Sequence, residues 1–165
     1  MKKICFIILI AITGFNRQLF AQDTVVPSLK SLLNSYYTIE GSLLKSNSVT
    51  TASSSDEFLK VINGIDMKTI PADGMKKFMS LQKKLISDAT YLSKSKSLTD
   101  QRTRFADLST NLYLLSKVIK ISDKPMYYDY CPMKKSYWLA ANKDIKNPYY
   151  DSPMQDCGMI SETNN

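Results

Sequence analysis

The sulfur of this 165-residue chain gathers towards its C-terminal end. Cys131-Pro132-Met133 is one cluster and Met154-Gln155-Asp156-Cys157 the other, with Met126 and Met159 flanking them. In an extended segment, residues two apart share a side, so Cys131 and Met133 are expected to face one centre. In a helical turn, residues three apart share a face, which does the same for Met154 and Cys157. Two thiolates and two thioethers are soft donors, and soft donors favour Cu(I) or another soft metal ion over hard cations. The chain has no histidine, so a tetrahedral zinc site would need acids or water to complete it. The same cysteines support a second reading. An even pair in an exported chain is expected to close as a disulfide, Cys131–Cys157, adding about 3 kcal/mol by the chain-entropy argument. The two states compete, because a disulfide sulfur is not a thiolate.

Aromatic residues crowd the same stretch: Tyr127, Tyr128, Tyr130, Tyr137, Trp138, Tyr149 and Tyr150. One reading makes them the core of a small lobe, with hydroxyls reaching solvent. Another makes the same seven, Tyr128, Tyr130, Trp138, Tyr149 and Tyr150 foremost among the lobe aromatics, the lining of a groove for a sugar, peptide or cation, beside Lys134 and Lys135. Catalysis is not expected. Without histidine there is no Ser-His or Cys-His dyad. A nucleophile elbow, a phosphate loop and a dinucleotide fingerprint are all missing from the sequence. Asp129, Asp144, Asp151 and Asp156 read as solvated turn residues rather than a carboxylate pair.

Whatever positions these side chains must come from the rest of the chain. Residues 1–21 carry a basic start (Lys2, Lys3), an apolar run from Ile4 to Phe15 and a small residue, Ala21, at a cleavage position, the pattern of a signal peptide. The expected protein is therefore periplasmic or secreted. No second apolar run follows, so no transmembrane segment is expected after signal removal. Loss of Lys2, Lys3 and Arg17, with no acid, takes the formal charge from +7 to +4. The remaining lysines are dispersed along helical stretches, which argues against a nucleic-acid partner.

Residues 22–165 read as one domain, mainly α, with four helices across 26–122 packed as an antiparallel bundle. Leu29, Leu32, Leu33, Tyr36, Leu43 and Leu44 recur at helical spacing behind Pro27. Ser46 to Ser55 is Ser/Thr-rich and reads as a loop or frayed start, with Ser55-Asp56-Glu57 capping a second helix of Phe58, Leu59, Ile62 and Ile65. Pro71 opens a third, whose stripe is Met75, Phe78, Met79, Gln82, Leu85, Ile86, Ala89 and Leu92. Thr99 and Asp100 start a fourth, with Phe105, Leu108, Leu112, Leu115 and Ile119 on one face. After Pro125 the periodicity ends. Residues 126–159 read as an irregular, aromatic-rich lobe, with a short strand at Tyr127–Cys131 and one or two helical turns from Trp138 to Lys143. Gly158 is expected at a positive φ.

The run Tyr130-Cys131-Pro132-Met133, Trp138-Leu139, Ile145-Lys146-Asn147-Pro148-Tyr149-Tyr150, Met154 and Cys157-Gly158 resembles an uncharacterised exported family of Gram-negative envelope proteins. Members also occur as a C-terminal extension of periplasmic adaptor subunits of heavy-metal efflux pumps. Gln101-Arg102-x-x-Phe105-Ala106-x-Leu108-Ser109 resembles that family's fourth-helix motif, and Leu29 to Leu44 its first helix. The resemblance implies a small helical domain that handles heavy metal, copper first. It also implies a heavy-metal efflux adaptor or other envelope protein as partner, and Cys131, Met133, Met154 and Cys157 as candidate ligands. Asp151 stands where the family usually has Gly, which would alter the turn leading to Met154 and offers a hard ligand.

Overall fold

The computed structural model describes residues 24–164; the expected signal peptide lies outside the described residues. Four helices come first: α1 (Pro27–Leu44), α2 (Ser48–Asn63), α3 (Met75–Lys94) and α4 (Leu98–Ser116). Three strands follow, β1 (Met126–Cys131), β2 (Ser136–Ala140) and β3 (Met159–Asn164), in the spatial order β2-β1-β3 with both pairings antiparallel. The fold is thus mainly helical with a small antiparallel sheet at its C-terminal end.

Each helix follows from its residues. Pro27 sits in the first turn of α1, where its missing N–H costs nothing. Leu29, Leu32, Leu33, Tyr36, Ile39 and Leu43 then form its buried stripe. Asn47 caps α2 by accepting a 2.9 Å hydrogen bond from the Thr50 N–H. The expected loop at Ser46–Ser55 is therefore mostly helix, and the expected cap at Ser55 lies inside it. The hydroxyls explain this. Thr51, Ser54 and Ser55 are small enough to pack inward. Thr51 meets Ser42 of α1 at 2.8 Å, and Ser55 returns a 2.7 Å bond to the Thr51 carbonyl. Ser97 caps α4, whose first residue, Leu98, is one ahead of the expected start at Thr99.

On α3 the buried residues are Phe78, Leu81, Leu85, Ala89 and Leu92, together with Asp88. The expected stripe was out of phase at one position, since Met79 is half exposed and Leu81 is inside. Helix α3 begins after Gly74, where a Cβ would come within 2.7 Å of Ile119 Cγ1, so a larger residue would require the Ile119 side chain to shift. Successive helices pack on one another, and α4 also packs against β2.

The sheet corrects the sequence reading of the lobe. Trp138 to Ala140 belong to β2 and not to a helical turn, and a third strand extends beyond residue 159. In the β1–β2 ladder Asp129 faces Trp138 and Cys131 faces Ser136. The β1–β3 ladder shifts register between Tyr128 and Asp129. Sheet and helices share one core. The α4 ring of Tyr113 stacks on Tyr128 at 3.7 Å, and Tyr128 continues onto Tyr137 at 4.8 Å. The buried Tyr36 hydroxyl accepts a 3.0 Å bond from the Leu139 N–H of β2 and lies 2.7 Å from Ser109 Oγ. Ser109 itself donates to the Phe105 carbonyl, so the Tyr36 hydroxyl is the donor between them.

Candidate functional site

Cys131 is the last residue of β1 and is fully buried. The hairpin that follows, Pro132 to Lys135, turns with Lys135 at φ 51° and aims the Lys134 N–H at Cys131 Sγ, 3.4 Å away. Cys157 leaves a single 3-10 turn, Met154–Asp156, and is partly exposed. The two segments meet. Both cysteines are free thiols, and Cys131 lies near enough to act on the Cys157 thiol. The Cys157 thiol is pushed up by burial, then by the charge and hydrogen bonding of Cys131.

Two residues hold Cys157 there. The fully buried Asn147 is a fastener. Its Nδ2 donates to the Cys157 carbonyl at 2.6 Å, its backbone N–H donates to the Gln155 carbonyl at 2.7 Å, and its Oδ1 accepts from the Tyr149 N–H at 2.9 Å. Gly158 is the other. A Cβ there would lie 2.7 Å from Trp138 Cη2 and 3.2 Å from the Tyr130 carbonyl. Its φ is not positive, contrary to expectation. Glycine is needed for close approach to the indole rather than for an unusual backbone.

The methionines are placed differently. Met133 lies in the β1–β2 hairpin and is 63% exposed, and Met154 opens the 3-10 turn and is 39% exposed. Neither belongs to the packed core. Among the described residues no group of three or more Cys, His, Asp or Glu is arranged to hold a metal ion. The strong donors brought together are the two thiols, with thioethers on the flanking loops.

Asp151 is engaged elsewhere. Its Oδ1 accepts from Arg102 Nη2 at 2.7 Å and from the Ser46 hydroxyl, and these bonds hold its carboxyl below the usual range. Arg102, itself buried, also donates to the carbonyls of Pro148 and Leu43 and to Ser46 Oγ. One guanidinium thus fastens the α1–α2 turn, α4 and the loop ahead of Met154. Its neighbour Gln101 donates from Nε2 to the carbonyls of Ser48, Leu92 and Ser95.

The lobe's aromatics face inward to different degrees. Trp138, Tyr149 and Tyr128 are buried, while Tyr130 and Tyr150 are half-buried. Trp138 meets Tyr149 edge-on at 5.9 Å, and the Tyr149 hydroxyl donates to the Tyr137 carbonyl.

Sequence reasoning missed an acid pair. Asp129, read as a turn residue, is fully buried in β1, and neither carboxyl oxygen has a hydrogen-bond partner; Trp138 Nε1 is likewise unpartnered. Burial raises Asp129 to about 7. Glu40 of α1 is raised to about 8, by burial first and then by the charge of Asp129. The signal was available, since Asp129 alternates with Tyr127 and Cys131 along one face of a strand.

A family model described as protein of unknown function, DUF3347, matches residues 32–124. The chain belongs to this family. The DUF3347 match runs from α1 to Lys124, so it spans the four helices and ends just ahead of β1. Gln101, Arg102, Phe105 and Ser109 fall inside it, and each joins α4 to another part of the structure through the bonds above or, for Phe105, by stacking on Tyr36 at 5.0 Å. No curated protein and no solved structure matches the chain.

Proposed function

We propose that the protein binds a soft metal ion, Cu(I) first, through Cys131 and Cys157. It would act as an exported, non-catalytic carrier in heavy-metal homeostasis or efflux. The proximity of two free thiols, brought together where the Gly158 segment lies against Tyr130, carries this reading. Thiolates are the donors Cu(I) prefers, and two of them suffice for a low-coordinate soft ion. Met133 and Met154, exposed on the flanking loops, would supply thioethers during loading. Binding would displace the thiol protons, so affinity would rise with pH. Export rests on the signal pattern of residues 1–21, and a heavy-metal efflux adaptor or another envelope protein is the proposed recipient. The four helices, packed in chain order, are read as an antiparallel bundle that carries the lobe.

Competition with a chromophoric Cu(I) chelator tests the reading. We expect one equivalent of Cu(I) bound by the reduced protein, lost in Cys131→Ser, and weakened by about tenfold or less in Met133→Leu. Unchanged affinity in both variants overturns it. The same proximity favours a second reading, a Cys131–Cys157 disulfide stapling an interaction module. It predicts an exported protein two hydrogens light by mass, with no copper taken up after reduction.

A further inference from the structure

The outward face of α3 is cationic in a way the thiol lobe does not use. Lys76, Lys77, Lys83 and Lys84 are exposed and repeat at a seven-residue interval, so they run along one side of the helix. None of the four forms an ion pair among the described residues. The acid of α3, Asp88, is turned inward and held by Asn111 at 2.8 Å and Arg104 at 3.4 Å. Across the α3–α4 groove Asp107 is taken by Arg104 at 3.0 Å, and at the helix start Asp73 bonds to the Gly74 N–H. Beside the Lys76–Lys83 row runs an apolar strip. Met79 is 50% exposed, and Ala72, Met75 and Met79 line a shallow groove of about 650 Å³ bounded by Lys76 and Lys83.

We propose that this face of α3 docks on an anionic phospholipid surface. A helix lying in an interface buries a narrow apolar strip at the headgroup boundary and sets lysines on the phosphates beside it. Lys76 and Lys83 lie on the same side of α3 as the methionine strip, and their unpaired charges complement that surface. A purely electrostatic partner such as nucleic acid would not call for the methionine strip.

Sedimentation of the purified protein with vesicles tests this. Binding is expected to vesicles containing about one-third phosphatidylglycerol, but not to phosphatidylcholine alone, and to vanish at about 0.5 M salt. The double variant K76E/K83E should lose at least tenfold in affinity, and K45E/K143E, which makes the same charge change at exposed sites off α3, should keep it. Met79→Ser should weaken binding without changing its salt dependence. Absence of binding to anionic vesicles, or equal loss in both double variants, overturns the proposal. So does capture by a soluble polyanion without vesicle binding. Because the lysines are solvent-exposed, circular dichroism of both variants should match wild type. Copper binding by the thiols should be unaffected, which keeps this test separate from that of the metal site.

Discussion

Asp129 sits between Tyr127 and Cys131 on β1 with no partner for either carboxyl oxygen, and Glu40 is buried on α1 within reach of its charge. Burying a carboxylate without hydrogen bonds is costly, so both groups favour the neutral form. A carboxyl whose folded value is raised adds stability that is complete below its unfolded value, about 4. That stability is lost as pH climbs through the folded values, about 7 for Asp129 and about 8 for Glu40. The melting temperature should therefore fall by at least about 3 °C between about pH 5.5 and 8.5. Glu40→Gln should flatten that fall. Thermal melts across this range check it, and a wild-type melting temperature indifferent to pH would contradict it. Arg102 shows the opposite solution at the same scale. Its buried guanidinium is surrounded by four acceptors, one of them the Asp151 carboxylate.

At the scale of elements, Gly158 and Gly41 make a matched pair. A methyl at Gly158 would press on Trp138, whereas at Gly41, within α1, nothing lies within 4 Å. Gly158→Ala should cost about 2 kcal/mol by overpacking and should quicken the reaction of Cys157 with a disulfide reagent, as the segment lifts off the indole. Gly41→Ala should instead stabilise by about 0.5–1 kcal/mol, since alanine suits a helix interior. Urea unfolding of the two variants beside wild type checks both signs, and a neutral Gly158→Ala would refute the packing account. The helices α1 and α4 were legible because their apolar spacing and their terminal signals, Pro27 and Thr99-Asp100, agree. The start of α2 was not, because serine and threonine are weak helix formers, and their hydroxyls here are settled by carbonyls of the helix itself and by the Thr51 contact with Ser42 of α1. The β2 run Tyr137-Trp138-Leu139-Ala140 lacks alternation, and a short apolar run does not distinguish strand from helix. The candidate site was legible as two sulfur clusters. Their meeting depends on Asn147 and on the room left by Gly158, neither of which spacing can express.

Helices and sheet do not divide the molecule into parts. Tyr36, Phe105, Ser109 and Tyr113 in the helices contact residues of the sheet or its loops, and Arg102 ties both to the α1–α2 turn. The family match ends at Lys124, yet the core does not. Unfolding should accordingly be a single transition, with loss of helical circular dichroism and exposure of the buried Cys131 thiol to labelling sharing one midpoint. Separate midpoints would mean that the sheet opens on its own. The same continuity has an optical consequence. Trp138 is the chain's single indole, fully shielded from water, with its far edge against the backbone that carries Cys157. The emission colour of that ring registers whether the interior stays dry, and its brightness registers heavy atoms or oxidised sulfur on the neighbouring segment. The protein thus contains a built-in fluorophore placed beside its own candidate site.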